Sequence, residues 1–396
     1  MSSAPPEDDF VRRTLEDLKR RDLYRALVAV GSAAGPRVRV GGRELVHFAS
    51  NNYLGLAGDV RVREALVRAV ERWGWGAGAS RLMAGHTEAH EALEADLAAF
   101  KHTEAALVFP TGYQTNLGVV TALAGRGDVV VMDRACHASL YDGVQLSGAA
   151  RARYAPRDAA DAARVFAKHA DAGGRRLLAT DAVFSMDGAC APLEALADLA
   201  KREGAMLLVD EAHATGVLGP TGAGLAEEAG VAGAVTASVG TLSKALGGLG
   251  GFVAASREVC DLLVNRARPF LFTTALPAAA CEAARAALAI VRAEPERRAR
   301  LLALSERLRS ALRDEGCDTG DSRTPIVPVF CGEAQGALDL AASLLEAGLF
   351  CPAIRPPTVP PGTSRLRVSL TSEHTEEDVA RLVAAIAEAR GQSVIR

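Results

Sequence analysis

The chain has 396 residues, 45 Lys and Arg against 48 Asp and Glu, a net charge of −3 and 49% hydrophobic residues. At a prior of about 150 residues per domain, that length accommodates two or three domains and a large buried core. The near-neutral balance argues against a general nucleic-acid binder, the acidic start MSSAPPEDDF does not read as a secretory leader, and no run of about 18 apolar residues is present to span a membrane.

Between residues 10 and 28, Val11, Leu15, Leu18, Leu23, Leu27 and Val28 recur at roughly helical steps, which predicts an amphipathic N-terminal helix. VRVGGRELVHFAS (Val38–Ser50) predicts a hairpin turning at Gly41–Gly42. From about Arg61, helices alternate with short apolar runs. HEALEADLAAF (His90–Phe100) has helical periodicity, and AALVFP (Ala105–Pro110), DVVVMD (Asp128–Asp133), RLLATD (Arg176–Asp181) and MLLVDE (Met206–Glu211) read as strands. Near-continuous apolar strands between helices predict an α/β domain with a mostly parallel sheet buried on both faces. In such sheets ligands gather at the carboxyl ends of the strands.

After Pro277 a long Ala/Arg/Leu-rich helical region runs to about Arg313, with a break near Pro295. TPIVPVF (Thr324–Phe330), a helix near Ala337–Ala347, the Pro-rich RPPTVPPG, the strand RLRVSL and a final helix from about Glu376 follow. This α+β pattern predicts a smaller second domain completed by the N-terminal segment. The expected division is 1–49 for the N-terminal helix and hairpin, 50–285 for the large domain and 286–396 for the small one. The sequence shows neither an internal repeat nor a low-complexity linker. Seven scattered cysteines with no CxxC pair suggest reduced thiols in a cytoplasmic protein and no metal site.

Three strand-end features carry chemistry. VDEAHATG (Val209–Gly216) puts Asp210 at the end of an apolar strand with His213 three residues on, and a buried carboxylate there needs a positive partner. SVGTLSKALGG (Ser238–Gly248) places Lys244 among small residues near Thr241 and Ser243. A lysine whose pKa is lowered can form a Schiff base with a carbonyl. PTGYQTN (Pro110–Asn116) follows a strand and opens a helix whose first N–H groups can hold a phosphate. Each feature alone has a plainer reading: Asp210 as a cap, Lys244 as a solvated cation, His137 in DRACHASLYDG as a satisfied polar residue. GGLGG (Gly247–Gly251) lacks the GxGxxG context of a dinucleotide site. Taken together, an aldehyde-capturing lysine, a carboxylate for a ring nitrogen and a phosphate turn are what pyridoxal 5′-phosphate (PLP) requires.

The lysine count sharpens this. Only Lys19, Lys101, Lys168, Lys201 and Lys244 stand against 40 arginines. The first four lie in ordinary charged surroundings, with Lys101 just after a helix, whereas Lys244 sits among small, nearly uncharged residues. Arginine could replace the others as a cation but cannot form a Schiff base.

With these motifs the chain resembles the α-oxoamine synthases, a branch of the fold-type I PLP-dependent transferases. SNNYLGLA (Ser50–Ala57), GHTEAHEALE (Gly85–Glu94), CHASLYDG, VFSMDG (Val183–Gly188), VDEAHATGVLG, TLSKALGG, FLFTTALP (Phe270–Pro277) and AIRPPTVPPGTSRLRVSLTSEHT (Ala353–Thr375) occur in order across most of the chain. The resemblance implies a large PLP-binding domain with a central mostly parallel sheet flanked by helices, plus a smaller α+β domain. It implies that Lys244 would carry PLP covalently and move the Cα proton of an amino acid. Asp210 would pair with the pyridine nitrogen, His213 would bond the ring 3′-oxygen, and His137 would stack on the ring and assist acyl transfer. Gly112, Tyr113, Ser185 and Thr241 would contact the cofactor. Thr273 and Thr274 would reach the phosphate of a neighbouring subunit, implying a homodimer with shared active sites. Arg367 would hold the amino-acid carboxylate with Arg355 nearby, and Asn52 would sit at the reacting acyl group.

AIRPPTVPPGTSRLR is most similar to the branch that joins L-alanine to pimeloyl-CoA or a pimeloyl carrier protein in biotin biosynthesis, where Thr358 and Arg25 would touch substrate. Two alternatives stand beside this reading: a relative that joins glycine to a short acyl-CoA, and a non-catalytic paralogue that keeps the fold to bind. ATDAVFSMDG carries Asp181 where the family usually shows Glu. No metal, nucleic acid or membrane is an expected partner.

Overall fold

In the computed structural model, which describes residues 6–391 apart from 22 and 172, Val129–Asp133 of DVVVMD form an interior strand of the main sheet. Its alternate residues serve two cores, with Val129 and Val131 facing one side and Val130 and Met132 the other. A strand buried on both faces needs helices on both, and the chain supplies them by alternation.

The order begins with α1 (Pro6–Arg20), β1 (Arg37–Val40), β2 (Arg43–His47), α2 (Val60–Trp73) and α3 (Glu88–Lys101). Then come β3 (Ala105–Phe109), α4 (Gly112–Leu123), β4 (Val129–Asp133), α5 (Ala138–Ser147), β5 (Ala150–Tyr154), α6 (Ala159–Lys168) and β6 (Arg176–Asp181). The run continues through α7 (Leu193–Arg202), β7 (Met206–Asp210), α8 (Leu225–Glu228), β8 (Ala237–Thr241), β9 (Gly251–Ala255), α9 (Arg257–Arg266) and α10 (Arg268–Leu271). The C-terminal part comprises α11 (Ala278–Ala293), α12 (Pro295–Asp314), β10 (Ile326–Gly332), α13 (Ala334–Glu346), β11 (Leu349–Phe350), β12 (Ala353–Ile354), β13 (Ser364–Ser369) and α14 (Glu376–Gly391).

Seven strands form the central sheet in the order β3-β9-β8-β7-β6-β4-β5. The run from β8 to β5 is parallel, and β9 lies antiparallel to both of its neighbours. Asp133, Asp181, Asp210 and Thr241 therefore end their strands at one edge, the edge where such sheets bind ligands. Because β9 runs the other way, its first residue, Gly251, lies at that same edge. The C-terminal part holds a three-stranded antiparallel sheet, β10-β13-β12, and β11 extends the N-terminal hairpin by pairing parallel to β2. The hairpin turns at Gly41 and Gly42, both at positive φ, a conformation that favours glycine.

Three expectations change. The N-terminal helix stops at Arg20, and Leu23 to Val28 continue without helix, leaving Leu27 and Val28 exposed. Residues 1–5 of the acidic start lie outside the described residues. β5, β8 and β9 escape apolar patterning because ARARY alternates with arginine at the sheet edge while ASVGT and, apart from Phe252 and Val253, GFVAA are built from small residues. Lys101 is no surface lysine: it is buried, its Nζ donates to the Ala223 carbonyl, and burial lowers its pKa against the opposing charges of Glu211 and Glu227.

Edge strand β3 leads directly into the α4 turn, and its outer side is closed by a buried ion pair. Arg81 Nη2 donates to Glu94 Oε1 at 2.9 Å, Arg81 Nη1 donates to the Val108 carbonyl at 3.2 Å, and Glu94 Oε1 accepts the Val108 N–H at 2.8 Å. Both backbone groups that Val108 turns to the outer side are satisfied by side chains. Arg81→Ala removes the countercharge of a carboxyl that burial already pushes toward its neutral form, so urea unfolding should show a loss of about 3–5 kcal/mol; a loss under about 1 kcal/mol would show the pair to be dispensable.

Candidate active site

The carboxyl edge of the sheet opens into a cavity of about 210 Å³ walled by Thr111, Gly112, Tyr113, His137, Asp181, Asp210, His213 and Lys244 among others. Asp210 is buried at the end of β7. Its Oδ2 accepts from Asn116 Nδ2 at 2.6 Å and its Oδ1 from the Ala212 N–H at 2.9 Å. Asn116, on α4, also donates to Ser139 Oγ at 2.9 Å. These neutral donors hold the carboxylate in place without cancelling its charge.

Lys244 follows β8 and points its Nζ at His213 Nε2, 2.9 Å away. Burial lowers its pKa from the ordinary 10.5 to about 8, with Arg367 adding to the shift and Asp210 and Asp181 opposing it. A lysine so placed yields neutral amine within reach of physiological pH. His213 is fully enclosed, and burial together with the charges of Lys244 and Arg367 keeps it far below the usual histidine range, so its ring is neutral. Its Nδ1 lies 2.7 Å from Tyr53 Oη.

At the other end of the cavity stands the first turn of α4. Thr111 caps it, its hydroxyl accepting the Gln114 N–H at 3.1 Å, and the N–H groups of Gly112 and Tyr113 belong to the helix's unpaired first turn. A Cβ on Gly251 would lie 2.5 Å from Gly112 Cα, so only glycine lets β9 come this close to the turn. A Cβ on Gly247, at φ +67°, would sit 2.2 Å from Ala57 N. The glycines of GGLGG thus serve close approach of backbones. Thr241 lies beside Gly112, its hydroxyl donating to the Gly250 carbonyl at 2.8 Å with Ser243 Oγ 2.7 Å away.

His137 caps α5, its Nδ1 2.7 Å from Ser139 Oγ, and its ring forms part of the cavity wall. Both oxygens of Asp181 accept the His137 backbone N–H at 3.2 Å. Asp181 is the register partner of Asp210 on the adjacent strand, and burial, followed by that neighbour's charge, pushes its carboxyl well above the usual range. A carboxyl this close to Asp210 accommodates a proton more readily than a second charge.

The other sequence candidates fall at three distances from the cavity. Tyr113 and Ser185 line it, and Tyr113 donates to Asp142. Arg367, buried on β13, stands just behind, donating to the Ser185 carbonyl, to Ser369 Oγ at 2.6 Å and to Asn51 Oδ1 at 3.0 Å. Asn52 turns away, its amide oxygen accepting the Ala57 N–H at 3.1 Å, so the neighbouring Asn51 is the one that reaches Arg367. Arg25, Arg355 and Thr358 form a separate group. Arg25 donates to Thr358 Oγ1 at 2.9 Å and Arg355 to the Tyr24 carbonyl at 3.0 Å. Thr273 and Thr274 lie outside the cavity, with Thr274 exposed and bridged to Ser80. Sequence reasoning missed Asn51, Tyr53, Asn116 and Ser139, although Asn116 stands one helical turn beyond Gly112 in a motif already singled out.

The donor set fits PLP. A helix start suits a phosphate, a buried carboxylate suits a protonated ring nitrogen, and a lysine of lowered pKa suits an aldehyde. The amide oxygen of Asn116 is buried in the same wall without a partner. Among the described residues, no group of three or more His, Cys, Asp or Glu side chains is placed to hold a metal ion, and no helix is long and apolar enough to cross a membrane. All seven cysteines are free thiols.

Comparison with known proteins agrees with this geometry. The chain matches the model of the aminotransferase class I and II family over residues 43–386. It is 52% identical over 379 residues to the 8-amino-7-oxononanoate synthase of Anaeromyxobacter dehalogenans (strain 2CP-1), covering 96% of this chain and 95% of that one. Among solved structures, Sphingomonas wittichii serine palmitoyltransferase superposes with a TM-score of 0.93 at 34% identity over 100% of both chains. A serine palmitoyltransferase variant from S. paucimobilis with bound PLP gives a TM-score of 0.92 at 30% identity over 99% of each chain.

In the cofactor-free chain, labelling of Lys244 by an amine reagent should rise with a midpoint at pH about 8. Asp210→Asn should move that midpoint lower, because the Asp210 charge favours the ammonium form. A wild-type midpoint near 10.5 would contradict the desolvated placement of this lysine.

Proposed function

The chain belongs to the aminotransferase class I and II family, on its α-oxoamine synthase branch, and from that membership and the site we infer a decarboxylative condensation of an amino acid with an acyl thioester. The reaction is that of the 8-amino-7-oxononanoate synthases: L-alanine and a pimeloyl thioester give 8-amino-7-oxononanoate, CO2 and free thiol, a step of biotin biosynthesis. The observation that carries the reading is the meeting of Lys244, His213 and Asp210 in one cavity that ends on the first turn of α4.

When bound, PLP supplies an electron sink for the negative charge that develops on the carbon next to the amino nitrogen. The chain's residues supply the rest. The first-turn N–H groups at Gly112 and Tyr113 would hold the phosphate, with Thr241 and Ser185 flanking. Asp210, held by Asn116 and Ala212, would pair with the ring nitrogen and keep it protonated. His137 would lie against the ring, its position set by Asp181 through the backbone N–H. Lys244 Nζ would anchor the cofactor and, once released by the incoming amino group, take the Cα proton and return it after CO2 is lost. A pKa of about 8 suits an amine that must both accept and donate a proton near neutrality.

Arg367 would hold the carboxylate of the amino acid. Its guanidinium is already buried and oriented by Ser369 and Asn51, so little side-chain entropy remains to be lost when the substrate arrives. The Cα of alanine then bonds to the thioester carbonyl carbon, the thiol departs, and the alanine carboxylate leaves as CO2. The Arg25–Thr358 and Arg355–Tyr24 contacts join the N-terminal segment to the Pro-rich loop. We assign to this cluster the grip on the far carboxylate of the acyl chain. Thr273 and Thr274, outside the cavity with Thr274 exposed, are proposed to complete the phosphate site of a second copy in a homodimer with shared active sites.

Lys244→Ala should abolish both turnover and the borohydride-reducible chromophore. Mass spectrometry of the wild type with L-alanine and pimeloyl-CoA should detect the C9 amino-ketone. Product from glycine and acetyl-CoA in its place would overturn the choice of substrates, and a colourless protein that gains no visible band on adding PLP would overturn the chemistry.

A further inference from the structure

Five side chains behind the cavity form one continuous hydrogen-bonded line. Arg367 Nη2 lies 3.0 Å from Asn51 Oδ1, Asn51 Oδ1 lies 3.2 Å from Tyr53 Oη, Tyr53 Oη lies 2.7 Å from His213 Nδ1, and His213 Nε2 lies 2.9 Å from Lys244 Nζ. Tyr53 is fully buried, so bulk water offers its hydroxyl no alternative partner. The direction of each bond follows from the one before it. Arginine is only a donor, so the Asn51 atom facing it is the amide oxygen. An amide oxygen is only an acceptor, so the single tyrosine hydrogen points to it. With that hydrogen committed, the 2.7 Å contact requires His213 Nδ1 to carry a hydrogen and donate to Tyr53 Oη. A neutral imidazole has one N–H, so Nε2 is then a bare acceptor facing Lys244.

We propose that Tyr53 is a positioning residue that fixes His213 as its Nδ1–H tautomer and thereby makes Nε2 the acceptor that orients the Lys244 amine. The significance of that role rests on the assignment of Lys244 above; the tautomer itself does not. Holding one N–H of Lys244 fixes the direction of the nitrogen at the cavity wall. It also favours the ammonium form, counteracting part of the depression caused by burial. The groups that face this pair are few. Lys244 meets Asp210 from β7, Asp181 from β6 and Arg367 from β13, and His213 meets Lys244, Arg367 and His137. None of them can accept the Nδ1 hydrogen in place of Tyr53, since the neighbour on that side is the Arg367 guanidinium, 3.5 Å from the same hydroxyl.

Tyr53→Phe keeps the ring and removes the acceptor. The buried Nδ1–H would then lack a partner, and the proton moves to Nε2, where it opposes the ammonium. Two measurements on the full-length, cofactor-free chain test this. Nitrogen-15 shifts of labelled histidine, with His213 assigned by its absence in His213→Gln, should show Nδ1 protonated in the wild type and Nε2 protonated in Tyr53→Phe. The midpoint for labelling Lys244 should fall in Tyr53→Phe by about one pH unit, about tenfold more free amine at a fixed pH below the midpoint. A wild-type Nε2–H tautomer overturns the proposal, as does a Tyr53→Phe midpoint that is unchanged or raised. If Tyr53→Phe does not fold, the wild-type tautomer alone decides. Adding PLP to the wild type and trapping it on Lys244 with borohydride separates the two ideas. Failure to trap would remove the functional assignment and leave the tautomer standing.

Discussion

Charge buried at the carboxyl edge of the sheet governs the arrangement around it. A carboxylate taken out of water costs several kcal/mol unless it is hydrogen-bonded and paired, and β7 ends in Asp210 with Glu211 directly after it. Asp210 faces the cavity and is held by Asn116 and Ala212. Glu211 faces the opposite side, where it accepts the N–H groups of Leu225 and Ala226 at 2.9 and 2.8 Å and thereby satisfies the start of α8. A Cβ on Gly224 would come 2.3 Å from the Glu211 carboxylate, so the segment after the His213 loop closes on that carboxylate through a glycine. Lys101, donating to Ala223 from the other side, provides the countercharge. The loop that carries His213 is thus pinned at both ends by residues with no part in the cavity, and the histidine is held where Lys244 can reach it.

The same constraint explains how the cavity gains a cation and an anion close together. Lys244 is destabilised as an ammonium by burial and sustained by Asp210 and Asp181. Asp181, beside Asp210 on the next strand, is pushed toward its neutral form, so the pair of aspartates presents less than two negative charges. The Asp181 carboxyl is short enough to stay on the His137 backbone, and it sets that histidine without entering the space in front of it. In a site that must bind a phosphate at one end and a carboxylate near the other, a moderate negative charge in the middle leaves both anions tolerable.

How much of this could be read from the sequence depends on how local each contact is. Lys244, Asp210 and His213 were legible because strand ends advertise themselves as short apolar runs that stop at a polar residue, and because small residues around a lysine promise desolvation. The phosphate turn was legible for the same reason. Asn51 and Tyr53 were not, since their partners Arg367 and His213 lie 316 and 160 residues away and no periodicity announces such a meeting. Asn52, singled out by pattern, directs its amide oxygen to the Ala57 N–H while Asn51 meets Arg367, because the bond from the Tyr53 N–H to the Asn51 carbonyl turns the chain between them. Lys101 misled for a related reason: polar residues follow it at 102–104, but it is the last residue of α3 and is buried.

The uneven use of the two basic residues then gains a physical sense. Buried arginines in this chain hold backbone and carboxylate geometry: Arg81 closes β3, Arg298 bonds the carbonyls of Val291 and Pro220, Arg309 bonds that of Thr324, and Arg367 braces Ser185 and Asn51. A planar, permanently charged fork is suited to that work because it neither loses its proton nor rotates freely. The same permanence would disqualify it at position 244 for the role proposed there, in which the nitrogen sheds a proton to bond carbon and regains it to finish the reaction. Arg367 and Lys244 are therefore complementary cations, the guanidinium fixed in charge and the amine, its pKa lowered to about 8, able to lose its proton. The line through Asn51, Tyr53 and His213 joins them, so the permanent charge of the first sets the hydrogen-bond direction at the second.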